Sequence, residues 1–299
     1  MEEENNPFQA IPLKESIIAP MRLIVPSPAK VNLALWIKGK RPDGYHELIT
    51  VMHTINLCDT LFFQPSDRFE LSIEGSESLP LNRSNLIVKA AQLFKEVTGI
   101  KPEVKVKLEK VIPIGAGLGG GSSNAAATLK GLNVIYGNPL SESELVQVAS
   151  QLGSDVPFFI RGGLAVAYGR GEKLKHYSPA SFKLLLVYPG FPCPTKEVYE
   201  NLPPIERDIT IEEAERRIIS PLVAGRLREV EEAMENDLEK SKAECVSKVN
   251  EVKEVVRACG LKPMMSGSGS SVFALITDQN YDLTPLKSRQ WWYKLLNAI

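Results

Sequence analysis

The sequence has few of the residues that define several common protein classes. Among its 299 residues there are four cysteines, Cys58, Cys193, Cys245 and Cys259, and no two of them form a C-x-x-C pair. Disulfide frameworks and cysteine zinc sites need cysteines in clusters, so this scattered pattern argues against both. Free, scattered cysteines are typical of a protein kept in a reducing cytoplasm.

Long apolar runs and an excess of charge of one sign are also missing. No apolar run approaches the roughly 18 residues that a membrane-spanning helix needs. Thirty-five Lys and Arg residues against 36 Asp and Glu residues leave a formal net charge of −1, which argues against nucleic-acid and membrane partners. Residues 1–21 open with acidic and amide residues, unlike a secretory signal or a transit peptide, and we interpret them as an extension or tail. We therefore predict a cytoplasmic protein, either a monomer or a weak homodimer.

The composition of the sequence is that of an ordinary globular protein. Hydrophobic residues make up 43% and charged residues 24%, which argues against a disordered chain. Alternating or β-branched runs predict strands at 23–25, 31–37, 69–73, 104–108, 184–188 and 272–277. Helical spacing predicts helices at 84–98, 227–238 and 243–258. Another helix begins at Ser141, where Glu144 completes a capping box, and stops at Gly153.

Strands and helices do not alternate regularly in this pattern, which favours an α+β fold over a doubly wound sheet. The length corresponds to about two domains at roughly 150 residues each. A change to proline-rich loops and helices near residue 180 predicts one domain over 22–180 and a second over 181–299.

The strongest functional signal is a loop of glycines and serines that runs into an alanine-rich helical stretch. Its residues are Pro113, Ile114, Gly115, Ala116, Gly117, Leu118, Gly119, Gly120, Gly121, Ser122 and Ser123. Glycine costs conformational entropy on folding, but it lets backbone amides approach a ligand closely, and a helix N-terminus adds unpaired amides and a positive dipole. We interpret the segment as a phosphate-binding loop whose serine hydroxyls can reach a phosphate or its magnesium ion. A flexible linker is the alternative, although linkers rarely continue directly into such a helix.

Two widespread phosphate motifs do not describe this loop. A P-loop needs a Gly-Lys pair followed by Ser or Thr, and the sequence contains none. The dinucleotide pattern G-x-G-x-x-G matches formally at Gly115, Gly117 and Gly120. However, the acid expected about twenty residues beyond the loop is replaced by a turn at 137–141.

Other candidate residues are individually ambiguous. Lys30 and Asn32 lie two apart in a predicted strand and share one face, where the lysine either meets a carboxylate or phosphate or is an exposed edge-strand lysine. Asp155 follows a helix stop and is either an N-cap or a functional acid. The small-residue segment 265–271 is either a second functional loop or a tight turn.

Histidine offers no metal site in this sequence. Tyr45 and His46 combine an aromatic ring and an imidazole just after a turn glycine. His46 and His53 lie seven residues apart, outside the four-residue spacing of a helical zinc pair. We therefore assign no metal site made of protein side chains alone.

Taken together, these segments resemble the GHMP kinases, named for galactokinase, homoserine kinase, mevalonate kinase and phosphomevalonate kinase. The lysine-bearing strand, the glycine and serine loop and the late loop 265–271 appear in the family's order. The resemblance implies the two-domain GHMP kinase fold within the α+β class. Its N-terminal ATP-binding domain is of the ribosomal protein S5 domain 2-like type, and its C-terminal domain is ferredoxin-like.

Within the family, segments 27–33, 43–47 and 153–157 are similar to those of kinases that act on a cytidine-diphosphate-linked methylerythritol. The resemblance implies phosphorylation of the 2-hydroxyl of this alcohol by ATP and Mg²⁺, in the non-mevalonate isoprenoid pathway. Another GHMP kinase of a smaller alcohol and a non-catalytic nucleotide-binding module stay open as alternatives.

The same resemblance implies roles for individual residues. The loop 113–123 is expected to hold the ATP phosphates. Lys30 and Asp155 are the expected catalytic residues, with the aspartate accepting or orienting the hydroxyl proton and the lysine holding the carboxylate ionised. The expected substrate-binding residues are Asn32 at the diol, Tyr45 and His46 at the cytosine, Tyr199 on the opposite face of the base, and Thr195 at the erythritol or phosphates.

Overall fold

The computed structural model describes residues 22–76 and 78–299, so the predicted extension or tail at 1–21 lies outside the described residues. The strands are β1 (Leu23–Lys40), β2 (His46–Pro65), β3 (Glu70–Glu74), β4 (Val104–Glu109), β5 (Leu164–Gly169), β6 (Lys173–Tyr177), β7 (Lys183–Tyr188), β8 (Glu235–Asn236), β9 (Met264–Met265), β10 (Val272–Leu275) and β11 (Trp292–Asn297). The α-helices are α1 (Leu86–Thr98), α2 (Gly120–Ile135), α3 (Glu142–Ser150), α4 (Val156–Arg161), α5 (Thr195–Glu200), α6 (Ile211–Ala214), α7 (Ser220–Val223), α8 (Leu227–Ala233), α9 (Glu244–Ala258) and α10 (Thr284–Lys287). No helix within these described ranges is long and apolar enough to cross a membrane.

The described residues form two compact units. The first unit comprises residues 22–27, Asp59–Val111 and Gly121–Ile160. The second unit comprises Pro28–Cys58, Ile112–Gly120 and Arg161–Ile299. The division of the chain into domains at 22–180 and 181–299 stays a prediction.

In the first unit, β4 pairs with β3 in parallel and with residues 60–65 of β2 in antiparallel register. Helix α2 packs closely on β2 at Gly131, where a Cβ atom would lie 2.4 Å from the Phe63 ring. Helix α3 confirms the predicted capping box: the Ser141 hydroxyl accepts the Glu144 amide at 3.3 Å, and the Glu144 carboxylate accepts the Ser141 amide at 2.8 Å. The capping box fixes where helix α3 begins.

In the second unit, β5 pairs antiparallel with residues 48–53 of β2 and with β6, while β1 pairs in parallel with β8. A separate four-stranded sheet has the order β11-β7-β10-β9. Because side chains alternate along a strand, Leu184 and Leu186 of β7 join one hydrophobic core, and Leu185 and Val187 join another, which includes valines of α9.

The predicted helix over 227–238 is wrong at its C-terminal end. Helix α8 ends at Ala233, and Glu235 and Asn236 form β8 beside β1. Directly after β8, the carboxylate of Asp237 accepts the amide of Ile37 at 2.8 Å. These partners are distant in sequence, and they hold the segment extended although its own residues favour a helix.

Candidate active site

Lys30 is a buried lysine in β1. It is 3% exposed, and its Nζ donates to Asn32 Oδ1 at 2.5 Å and to the carbonyl oxygen of Gly117 at 2.9 Å. Asn32 is equally buried, and its Nδ2 donates to Thr50 Oγ1 at 2.8 Å. The two residues thus share one face of the strand, as their spacing predicts, and Lys30 is not an exposed edge-strand lysine.

Residues 113–120 of the glycine loop belong to the second unit and lie beside the backbone of β1. Gly115, Gly117 and Gly119 have φ values of +65°, +75° and +70°, a left-handed conformation that favours glycine. The amide of Lys30 donates to the carbonyl of Leu118 at 3.0 Å. The loop therefore binds Lys30 twice: the Leu118 carbonyl accepts its backbone amide, and the Gly117 carbonyl accepts its ammonium.

The late small-residue loop packs against the first. Ser266 Oγ donates to the Gly117 carbonyl at 3.1 Å, and a Cβ on Gly117 would lie 2.0 Å from the Ser266 carbonyl oxygen. The side-chain Nδ2 of Asn236 donates to the carbonyl oxygens of both Met265 and Gly267 at 2.8 Å. A Cβ on Gly267 would lie 3.0 Å from Lys30 Nζ. In the second unit the structure thus brings together the lysine, the first glycine loop and the late loop.

The residues predicted to bind substrate lie in the same unit. The rings of His46 and Tyr199 are 5.2 Å apart at an interplanar angle of 37°. Tyr45 is 55% exposed, and the guanidinium of Arg170 lies 4.9 Å from its ring centroid. Thr195 Oγ1 lies 3.0 Å from the hydroxyl of Ser268 in the late loop.

Burial, and to a smaller extent the charge of Lys40, lowers the pKa of His46 below its usual range. His46 is therefore neutral near pH 7, and a neutral imidazole carries one donor and one acceptor nitrogen. Its edge can accordingly recognise a group that presents both a donor and an acceptor.

The beginning of α2 belongs to the first unit and contains Ser122, which is half-buried, and Ser123, which is buried. Ser27 Oγ donates to Ser123 Oγ at 2.8 Å, and Asn124 Nδ2 donates to Ser27 Oγ at 2.8 Å. The same Asn124 nitrogen donates to Asp59 Oδ2 at 2.9 Å. A hydrogen-bonded chain therefore leads from a buried carboxylate to a hydroxyl of the predicted phosphate loop.

Sequence reasoning missed Asp59 and its partner Lys110. Their side chains are 0% and 5% exposed, and the ammonium and carboxylate are 2.7 Å apart. Burial lowers the pKa of Lys110, and the charge of Asp59 opposes that shift. The signal available was an acidic residue inside the mainly apolar segment 55–63, and spacing alone could not link it to a lysine 51 residues away.

Asp155 also lies in the first unit, directly before α4, and its side chain is half-buried. The residues that follow it, Val156 to Ile160, are all buried. The predicted pairing of this carboxylate with Lys30 stays a prediction.

No group of three or more His, Cys, Asp or Glu side chains that could hold a metal ion occurs in the part of the chain that the structure describes. His53 is fully buried; its Nδ1 bonds the Thr54 carbonyl at 2.8 Å, and its Nε2 accepts the amide of Ala180 at 3.1 Å. Both ring nitrogens are thus engaged by the backbone, which gives His53 a structural role.

Comparison with known families gives two matches. The family described as "GHMP kinases N terminal domain" matches residues 85–163, and "GHMP kinases C terminal" matches residues 218–282. The first match includes the glycine and serine loop and Asp155, and the second includes the late loop.

Curated relatives match over most of their length. The chain is 44% identical over 252 residues to the 4-diphosphocytidyl-2-C-methyl-D-erythritol kinase of Persephonella marina, covering 84% of this chain and 90% of that protein. It is 35% identical over 269 residues to the protein of the same name from Hydrogenobaculum, covering 90% of this chain and 92% of that protein.

Solved structures agree with these relatives. The chain is similar to 4-(cytidine 5'-diphospho)-2C-methyl-D-erythritol kinase with a TM-score of 0.72 and 34% identity, covering 92% of this chain and 99% of that one. A homoserine kinase from Cytophaga hutchinsonii has the same fold, with a TM-score of 0.70 at 19% identity over 96% of this chain and 97% of that one.

Proposed function

This chain belongs to the GHMP kinase family, and we propose that it transfers the γ-phosphoryl group of ATP to the 2-hydroxyl of 4-diphosphocytidyl-2-C-methyl-D-erythritol. The predicted GHMP kinase fold is confirmed. The observation that carries the proposal is the buried ammonium of Lys30, bonded to Asn32 and to the carbonyl of Gly117 in the glycine loop. The reaction is a step of the non-mevalonate isoprenoid pathway.

Phosphoryl transfer needs positioned groups and neutralised charge more than covalent chemistry by the protein. The glycine loop meets the first need, because its left-handed glycines let backbone amides face the phosphates of ATP. The dipole of helix α2, which begins at Gly120, adds positive potential. ATP binding therefore rests on the backbone of residues 113–121 and on the hydroxyls of Ser122 and Ser123.

Lys30 and Asp155 act on the acceptor alcohol. The carboxylate of Asp155 accepts the proton of the 2-hydroxyl as that oxygen bonds the γ-phosphorus and the bond to the leaving ADP breaks. Lys30 supplies positive charge, which phosphoryl transfer needs to neutralise the negative charge of the reacting groups. The short bond to Asn32 and the bond to Gly117 hold the ammonium in one position.

Magnesium fits the oxygen donors of the loop. Mg²⁺ takes oxygen ligands and usually binds through one or two protein groups together with substrate phosphates. The hydroxyls of Ser122 and Ser123 are oxygen donors of this kind and would hold the ion with the nucleotide. When bound, Mg²⁺ neutralises charge on the β- and γ-phosphate oxygens.

The cytidine part of the substrate is recognised by the aromatic residues of the second unit. Tyr45 and Tyr199 offer faces for stacking on the cytosine, and the neutral His46 offers a donor and an acceptor for the base edge. Asn32 binds the diol beside the ammonium of Lys30. Thr195, next to Ser268 of the late loop, binds the erythritol or phosphate side.

A coupled ADP-release assay tests the proposal, using the cytidine substrate, homoserine and mevalonate as acceptors. We expect release that depends on the cytidine substrate and falls about 100-fold or more in Asp155→Asn, the usual scale for a positioned acid–base group. Turnover of homoserine or mevalonate would favour another GHMP kinase activity. ATP binding without release in the presence of any acceptor would favour a non-catalytic module.

The predicted monomer or weak homodimer and the cytoplasmic location stay predictions.

A further inference from the structure

A buried chain of hydrogen bonds in the first unit ends at the phosphate loop. We propose that Ser27 is a positioning residue, which is itself held by Asn124 and Asp59 and orients the hydroxyl of Ser123 for the nucleotide phosphates. This inference rests on the proposed function, because it requires the loop at the beginning of α2 to bind ATP.

The buried ion pair between Asp59 and Lys110, where this chain of hydrogen bonds begins, is not explained by its contribution to stability alone. Asp59 and Lys110 are almost fully buried, and replacing such a pair with apolar residues is often neutral or stabilising. The carboxylate is nevertheless fully engaged: Oδ1 accepts the amide of Val111 at 2.7 Å, and Oδ2 accepts both Lys110 Nζ and Asn124 Nδ2. A carboxylate held by three donors, one of them Asn124 of α2, can fix the direction of the hydrogen bonds around it.

The carboxylate sets the direction of every bond in the chain. An ionised carboxylate only accepts, so the amide group of Asn124 must turn its nitrogen toward Asp59. The same nitrogen donates its other hydrogen to Ser27 Oγ. Ser27 thus already accepts a hydrogen bond, and it donates its own hydrogen to Ser123 Oγ.

The end of the chain determines what Ser123 can do. Its oxygen accepts from Ser27, so its own hydrogen is free of that bond and can be donated to an anion. Ser123 lies in the first turn of α2, directly after the glycines of the loop. If the Ser123 hydroxyl is oriented before the nucleotide binds, it need not reorganise to stabilise the charge of the phosphates.

A double-mutant cycle on Ser27 and Ser123 tests the inference, with Mg·ATP affinity measured by isothermal titration calorimetry. Losing an oriented hydrogen bond to a charged group predicts that Ser27→Ala raises Kd about five-fold or more. Ser123→Ala should raise Kd at least as much, and the double variant should equal Ser123→Ala alone, because Ser27 acts only through Ser123.

Thr128→Val is the matched control. Thr128 is buried on the same helix and donates to the carbonyl of Asn124 at 2.8 Å, but it takes no part in the chain that reaches Ser123. We expect its Kd to stay near the wild-type value. If Ser27→Ala does not fold, Ser27→Cys gives the same comparison, because a thiol is a similar-sized but weak donor.

Three outcomes would overturn the inference while leaving the proposed function intact: an unchanged Kd in Ser27→Ala, losses that multiply independently in the double variant, or an equal loss in Thr128→Val. A wild-type protein that binds no Mg·ATP would overturn the proposed function and the inference with it. The two failures are therefore distinguishable in one set of titrations.

Discussion

Gly117→Ala tests whether close approach of the two small-residue loops supports catalysis. Gly117 has φ +75°, and a Cβ there would lie 2.0 Å from the carbonyl oxygen of Ser266 and 2.9 Å from backbone atoms of Gly269. These atoms belong to the backbone, so no side-chain rotation can relieve the overlap. Gly99, which ends helix α1, is a matched control with φ +74°, and no described residue other than its chain neighbours has an atom within 4 Å of its Cβ position.

The two substitutions separate backbone conformation from steric overlap. Each places alanine in the left-handed region, which costs about 1–2 kcal/mol. Gly117→Ala adds an overlap with backbone, and overpacking of this kind costs about 1–3 kcal/mol more. We therefore expect the free energy of unfolding to fall by about 2–5 kcal/mol for Gly117→Ala and about 1–2 kcal/mol for Gly99→Ala.

The effect on activity should differ even more. The Gly117 carbonyl anchors the ammonium of Lys30 at 2.9 Å, so relief of the overlap must move that anchor. A displacement of about 1 Å in an active site can cost about 100-fold in rate, and we expect a fall of that size in kcat/KM. Gly99→Ala should retain wild-type activity.

Urea unfolding gives the stabilities, and the coupled ADP-release assay gives kcat/KM at a temperature where both variants are folded. Equal unfolding free energies and equal activities in the two variants would refute the argument. That result would mean that the loops do not approach as closely as the geometry requires, or that their approach has no bearing on catalysis.

Three further predictions concern the proposed catalytic pair, one base-binding ring and one buried histidine. Lys30→Met and Asp155→Asn should each lower single-turnover rates by about 100-fold or more, and the double variant should be little worse, because groups that act as one unit are not additive; losses that multiply would contradict the proposed pair. Tyr45→Ala should raise the KM of the cytidine substrate about five-fold or more, since base stacking contributes roughly 1–3 kcal/mol, and an equal rise in the KM of ATP would argue against this placement. Burial lowers the pKa of His53 below its ordinary 6.5, and its neutral ring accepts the amide of Ala180, so stability should be complete above pH 6.5 and fall as the pH drops below it. The slope should be at most about 1.4 kcal/mol per pH unit, and His53→Gln should flatten it in urea unfolding at several pH values; identical profiles would exclude His53 as the cause.

Elements controlled by local contacts could be predicted from the sequence. The capping box of Ser141 and Glu144 begins α3 as predicted, because both partners lie within one turn. The helix predicted over 243–258 is found as α9 (Glu244–Ala258), because its valines recur at helical spacing on a buried face.

Strands whose partners are distant could not be predicted in the same way. The long strand β2 was missed because residues 48–55 are buried on both faces, which removes the alternation that marks a strand. Strand β1 was predicted as two pieces on either side of Pro26 and Pro28. In the structure it is one strand, Leu23–Lys40, whose Lys30 amide donates to the Leu118 carbonyl in the glycine loop.

The candidate site shows the same division. The glycine loop and Lys30 could be found because a cluster of glycines and a lysine within an apolar strand are visible in short stretches of sequence. The chain from Asp59 to Ser123 could not, because Asn124 lies 65 residues from Asp59 and 97 from Ser27. Polar partners at such separations leave no periodic signal.

The two bonds from Asn236 to the late loop bear on which residues can be exchanged there. Serine and glycine have little conformational preference, so hydrogen bonds determine the shape of the loop. Besides backbone bonds within the loop, the side-chain Nδ2 of Asn236 holds the carbonyls of Met265 and Gly267 close together. Asn236→Asp would set a carboxylate against both carbonyl oxygens, and the loop would lose its template although none of its own residues had changed. Position 236 therefore constrains the late loop from outside, together with Gly267 and Gly269 inside it, whose φ values are +54° and +84°.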